Sequence, residues 1–169
     1  MTPNVRSVID RVLVREGGIA DVGDGKGLTR FGQTPGWLAD WGLTAPETAD
    51  AARENYAAWM VKTGLDGVCD ADVTLGAAVT DWAVNSGHQT AIKALQRSFG
   101  IAADGVIGPT TRHWLTMMTP AAARRITLFV HCARLEFVGR IITDEPEKHA
   151  RYAAGWCNRL AKNLRADLG

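Results

Sequence analysis

The sequence predicts a mainly α-helical protein. Apolar residues recur at i, i+3, i+4 and i+7 along most of the chain. Glycines stand where these runs stop, at Gly17, Gly64, Gly87 and Gly100. Only one long stretch, residues 19–36, is rich in glycine and poor in large apolar side chains, with Leu28 and Phe31 among the few exceptions. A chain of 169 residues with 46% hydrophobic content can bury one sizeable core, or two small lobes that share one.

In the first element Val5, Val8, Ile9, Val12 and Leu13 form one helical face. Thr2 and Pro3 suit the cap and first turn, and Gly17 and Gly18 the stop. Residues 19–36 read as a loop, with a short hairpin around "GLTRFGQT". "TAPE" has the form of a capping box, with Thr44 as N-cap and Glu47 at N3, opening a helix to about Lys62. "DVTLGAAVTDWAVNSG" is a further helix, with Leu75, Ala78, Val79 and Trp82 inward. A short helix runs from about His88 to Phe99, burying Ile92, Leu95 and Phe99. The turn "ADGVIGPTT" leads to a helix near Pro109, where Gly105 and Gly108 supply the bend. Thr119 and Pro120 open a long helix to about Ile142, which Asp144 to Pro146 break. "ARYAAGWCNRLAKNL" forms the last helix. The softest seam lies near residues 86–90, dividing the chain into parts 1–88 and 89–169 packed as one unit.

The 19 basic and 18 acidic residues leave a formal charge of +1. No large single-sign field results, so nucleic acid is not a favoured partner. Cys69, Cys132 and Cys157 are far apart and odd in number, and read as small buried apolar side chains. His88, His113, His131 and His149 show no metal-ligand spacing, so neither metal nor cofactor is expected. The N-terminus lacks the apolar core of an export signal, and no stretch is long enough to span a bilayer. A monomer made in the cytoplasm, without stable membrane insertion, is expected.

The informative residue is Glu16. It follows Val12 by one turn and Ile9 by two, so it lies on the apolar face of the first helix. A carboxylate there is partly desolvated, which favours its proton-donating form. A general acid for glycosidic cleavage needs that property. Alternatively, Glu16 is a helix-end carboxylate paired with Arg15 or another basic side chain.

"EGG" followed by "GKGLTRFGQT" resembles the opening of glycoside hydrolase family 108, phage and bacterial N-acetylmuramidases. Gly27, Thr29 and Gly32 stand at the places of that family's G-x-T-x-x-G segment. "DWAVNSG", with Asp81, Asn85 and Gly87, is similar to its D-x-x-x-N-x-G segment. "LQRSFGIAADGVIGPTT" resembles the L-Q-…-D-G-x-x-G-P-x-T signature of peptidoglycan-binding modules. "RYAAGWCNRL" is similar to an R-Y-x-x-G-W-x-N-R element near the family's C-terminus. The motifs occur in order over about residues 5–162. The loop is about one residue shorter than the family's common pattern, and Ile19 replaces its usual aromatic.

The resemblance implies a lysozyme-like helical fold with a glycine-rich active-site loop after the first helix. It implies that Glu16 protonates the oxygen bridging N-acetylmuramic acid and N-acetylglucosamine. Asp24, with Asp21 as rival, would stabilise positive charge on the sugar or activate water, and Thr29 would position that water. For the loop aspartate and Thr29, ordinary turn and strand roles stay open. Trp37 and Trp41 would stack on sugar faces, or else pack as core. Asp81 and Asn85 would bond N-acetyl or hydroxyl groups, with a helix-end role for Asn85 as the rival. The "DGVIGP" turn reads first as a structural device and second as a glycan contact. The partner implied is bacterial peptidoglycan, reached after a holin opens the inner membrane. A non-catalytic wall-binding or secretion-linked protein is the alternative.

Overall fold

The computed structural model describes residues 1–20 and 28–169. Its first helix, α1 (Pro3–Glu16), begins as expected. Thr2 accepts a hydrogen bond from the Val5 amide at 3.2 Å, Pro3 occupies the first turn, and Gly17 turns left-handed at φ 73° to end it. Val5, Val8, Ile9 and Val12 are buried. The strands β1 (Ile19–Ala20) and β2 (Thr29–Arg30) then pair antiparallel, Ile19 with Arg30 and Ala20 with Thr29. The chain also closes locally within "GLTRFGQT", where Arg30 and Gln33 form an antiparallel bridge, and the β1–β2 pair extends this back to the end of α1.

The helices α2 (Pro35–Trp41), α3 (Ala49–Thr63), α4 (Leu65–Ala71) and α5 (Val73–Ser86) follow. Two differ from expectation. The cap of α3 is Thr48, which accepts from the Ala51 amide at 3.2 Å, and Thr44 lies outside the helix with its carbonyl bonded by Asn55. Pro46 favours an extended residue before it, so the chain enters its helical turn only after it. The short helices α2 and α4 were not expected at all. Only Leu38 of α2 is buried, so the helix is too short and too exposed to carry a periodic signal. In α4 the signal is masked by Gly64, which ends α3 and begins α4 in one left-handed residue.

The core is arranged around α5. Every residue from Leu75 to Ala83 is buried, and the helix contacts α1, α4, α6 (His88–Ser98), α8 (Pro120–Asp144) and α10 (Ala153–Leu168). Its crossing with α4 depends on Gly76, where a Cβ would lie 2.6 Å from the Cys69 Cα. One apolar cluster runs from Val5 through Trp59, Leu75 and Leu95 to Val130, so residues on both sides of the 86–90 seam share it. The helix α7 (Pro109–Thr116) closes the cluster with Leu115, while α9 (Pro146–His149) and a 3-10 turn (Ala150–Tyr152) link α8 to α10. The fold is mainly α, of the lysozyme-like kind.

Polar contacts seat α10. Asp167 lies 3.1 Å from His131 of α8 and 3.7 Å from Arg11 of α1, and Arg124 donates to the Leu168 carbonyl at 2.6 Å. Cys69 is buried as expected, but Cys132 and Cys157 are exposed. Both lie along an apolar groove between α8 and α10 that also includes Leu128 and Leu164. No described helix is long and apolar enough to cross a membrane.

The "DGVIGP" turn is wired by one side chain. Gln96, buried on α6, donates to Asp104 at 2.7 Å and to the Val106 carbonyl at 2.9 Å, and accepts from the Gly105 amide at 2.8 Å. Gly105 is left-handed, at φ 84°, which the tight turn requires. The L-Q-…-D-G spacing thus has a complete structural explanation, because the Gln amide satisfies the turn's buried backbone groups.

Candidate active site

Glu16 ends α1 on its buried face, and its side chain is 17% exposed. The chain returns over it through Phe31 and Gly32. Phe31 holds a left-handed φ of 53°, uncommon for a bulky residue, and Gly32 follows at 79°. A Cβ on Gly32 would lie 2.7 Å from the Glu16 Cγ and 2.8 Å from the Tyr56 hydroxyl oxygen. Only glycine lets this loop lie against the carboxylate. Tyr56, buried on α3, donates to the Phe31 carbonyl at 3.0 Å and so holds the loop down. Burial, reinforced by the Glu16 charge, pushes the Tyr56 phenol above its ordinary range.

Glu16 is partly buried, and of the two readings left open it takes the ion pair, with Arg159 rather than Arg15 as the basic partner. Arg159 of α10 donates its Nη2 to Glu16 Oε1. The same nitrogen donates to Asp81 Oδ1 at 2.9 Å. Asp81, 1% exposed, also accepts from Arg134 Nη1 at 2.6 Å, Asn163 Nδ2 at 2.8 Å and Arg15 Nη1 at 3.1 Å. One carboxylate at the centre of the fold thus gathers side chains from α1, α8 and α10. Burial pushes the Asp81 carboxyl up, but the charge of Arg134 and the hydrogen bonds and charge of Arg159 outweigh it, holding the group well below the usual carboxylate range. Burial likewise opposes the Arg159 charge, and Asp81 and Glu16 reverse that effect.

The expected site residues separate in space. Asp81 lies inside this network rather than on an open face, with Arg159 among its partners. Its place mid-helix on α5, buried on every side, is the reason. Asn85, one turn later, is exposed, and its amide donates to the Asp81 carbonyl at 2.6 Å. Trp37 is half-buried against Tyr56, with ring centroids 5.6 Å apart, and so borders the residue beside Glu16. Trp41 turns away, packing on Trp59 and on His88 at 5.3 Å. The Thr29 hydroxyl is buried and has no hydrogen-bond partner among the described residues. Asp24 and its rival Asp21 lie outside the described residues. No cluster of His, Cys, Asp and Glu able to hold a metal occurs among the described residues.

The sequence reading assigned no role to Arg159, Arg134, Asn163 or Tyr56. Arg159 carried a signal, as the last residue of the "RYAAGWCNR" element. Arg134, Asn163 and Tyr56 stood in no motif, and only the packing reveals them.

A family described as a predicted peptidoglycan domain matches residues 90–161, from α6 into α10, a span that includes both Arg134 and Arg159. The structure of SagA from Brucella abortus is similar over 97% of this chain and 93% of that one, at 26% identity and a TM-score of 0.75. No curated protein matches the chain. Together these likenesses support a peptidoglycan-related protein.

Proposed function

We propose that the protein is a peptidoglycan hydrolase of endolysin type, an N-acetylmuramidase resembling glycoside hydrolase family 108. The observation that carries this reading is Glu16 itself, a half-enclosed carboxylate at a helix end, covered by a glycine loop and held by a guanidinium. Glu16 donates a proton to the oxygen between N-acetylmuramic acid and N-acetylglucosamine. The leaving sugar departs as a neutral alcohol while positive charge grows on the other ring. Arg159 bonds Oε1 and so orients the group. The loop aspartate, Asp24 or Asp21, stabilises the charged ring or activates water, and the Thr29 hydroxyl positions that water.

The parts 1–88 and 89–169 act as one catalytic unit in this reading. The first supplies Glu16 and the second the arginine that holds it. The protein reaches the wall from the cytoplasm when a holin opens the inner membrane. A non-catalytic wall-binding role is the second reading, and the match of residues 90–161 to a predicted peptidoglycan domain is the observation that favours it.

Purified peptidoglycan incubated with wild type and with Glu16→Gln separates the two. New reducing N-acetylmuramic acid ends, detected by mass spectrometry and lost in a folded Glu16→Gln, are the expected result. Full cleavage by the variant overturns Glu16 as the acid. Pelleting on the polymer without cleavage by wild type establishes the binding role.

A further inference from the structure

A cavity of about 270 Å³ lies between the end of α5, α8 and the α9–α10 corner, with Arg159 in its wall. Asn85, Arg134, Phe137, His149, Trp156 and Arg159 line it. Its volume is below that of pockets that enclose a drug-sized ligand, so it suits a side arm rather than a glycan strand. Its chemistry is mixed. Phe137 and Trp156 provide apolar faces, and Trp156 is braced by Tyr152 at 5.7 Å and His149 at 5.6 Å. Two guanidiniums supply positive charge. Arg134 gives only Nη1 to Asp81, and its other N–H donors have no partner among the described residues. Asn85 and His149 add polar groups at the wall.

We infer that this cavity binds the acidic peptide stem carried by the muramic acid of the substrate, which deepens the proposed muramidase reading and rests on it. A short peptide has aliphatic carbons for the Trp156 face, amides for Asn85, and a carboxylate for Arg134 and Arg159. A neutral sugar can accept hydrogen bonds from the two cations but brings no charge to match them. Arg159 borders the cavity and also bonds Glu16, so the stem carboxylate engages the residue that holds the acid. Binding of the stem then informs the acid directly that a muramic acid, and not a plain glucosamine, is in place.

The test uses the full-length Glu16→Gln protein, so that binding is read without turnover. N-acetylmuramyl dipeptide with a free carboxylate is titrated by calorimetry, with chitobiose as the neutral control. The dipeptide binds, Trp156→Ala weakens it by roughly tenfold or more, and Trp156→Phe recovers most of the loss. Chitobiose binding is the same in all three. Equal dipeptide affinity in Trp156→Ala, or no dipeptide binding by folded protein, overturns the inference. Peptidoglycan stripped of stems by an amidase separates the two readings. If wild type cleaves it as fast as intact wall, the stem site is wrong and the muramidase reading stands. If neither polymer is cleaved while the dipeptide still binds through Trp156, a carboxylate-peptide site stands and the muramidase reading falls.

Discussion

Arg159 and Glu16 stand 143 residues apart in the chain, yet one guanidinium nitrogen of Arg159 bonds both the Glu16 and the Asp81 carboxylates. The last helix thereby holds the end of the first. Asp81 fixes Arg159 from within the core, and Arg159 fixes Glu16 at the surface of the site.

Replacing Arg159 tests this order. Lysine keeps a charge, but its ammonium lacks the fixed planar geometry by which Nε and Nη2 of Arg159 both reach Asp81. Arg159→Ala should lower stability by about 1–3 kcal/mol, because Glu16 loses its cation and Asp81 loses one of its donors. Arg159→Lys should recover much of that in chemical denaturation. Wall clearing should stay well below wild type in both variants. Full clearing by a folded Arg159→Ala would show that Arg159 does not act through Glu16.

Asp81 sets the acid limit of the fold. Its carboxyl is held below its unfolded value in the folded state, so the unfolded chain takes up a proton first as pH falls. The stability it contributes is whole above about pH 4 and is lost progressively below that. Asp81→Asn should cost about 3–5 kcal/mol near neutral pH, because it leaves arginines buried without their charge partner. The melting temperature of that variant should fall less steeply between about pH 4 and pH 2 than that of wild type. Parallel acid slopes would disprove the assignment.

Gly32 should not accept a side chain. In Gly32→Ala the new methyl meets the Glu16 side chain and the Tyr56 hydroxyl, and the residue must also hold φ 79°. The expected loss is about 1–2 kcal/mol of stability from the backbone alone. In the muramidase reading activity should fall further than stability explains, because the side chain displaced is the proposed acid. A fully active Gly32→Ala would mean that the loop lifts away during turnover.

Gln96 distinguishes a structural turn from a glycan contact. Gln96→Leu leaves the Gly105 amide and the Val106 carbonyl without their partner, at about 1–3 kcal/mol. Urea denaturation should show that loss, while pelleting on peptidoglycan by the folded variant should not change. Weaker pelleting at full stability would assign glycan binding to the turn.

Thiol labelling of the native protein should modify Cys132 and Cys157 and spare Cys69. Burial pushes the Cys69 thiol up to about 12, so it is both enclosed and protonated, whereas the other two face a groove. Mass spectrometry after brief alkylation counts the adducts.

The sequence by itself determined the helices that carry an apolar stripe and a cap, α1, α5, α6 and α8, because each is decided within a few turns of chain. It also placed Glu16 on a buried face, since the period of the helix settles that locally. It did not show α2, which has one buried side chain, or α4, whose start is hidden in the glycine that ends α3. It placed Asp81 among ligand contacts because four-residue spacing marks a face but not what lies against it. Only the tertiary structure decided that α8 and α10 press three polar side chains, Arg134, Arg159 and Asn163, onto that face. A charge seeks its partner through space, at a few ångströms and in a low dielectric, and chain separation places no limit on which residue answers.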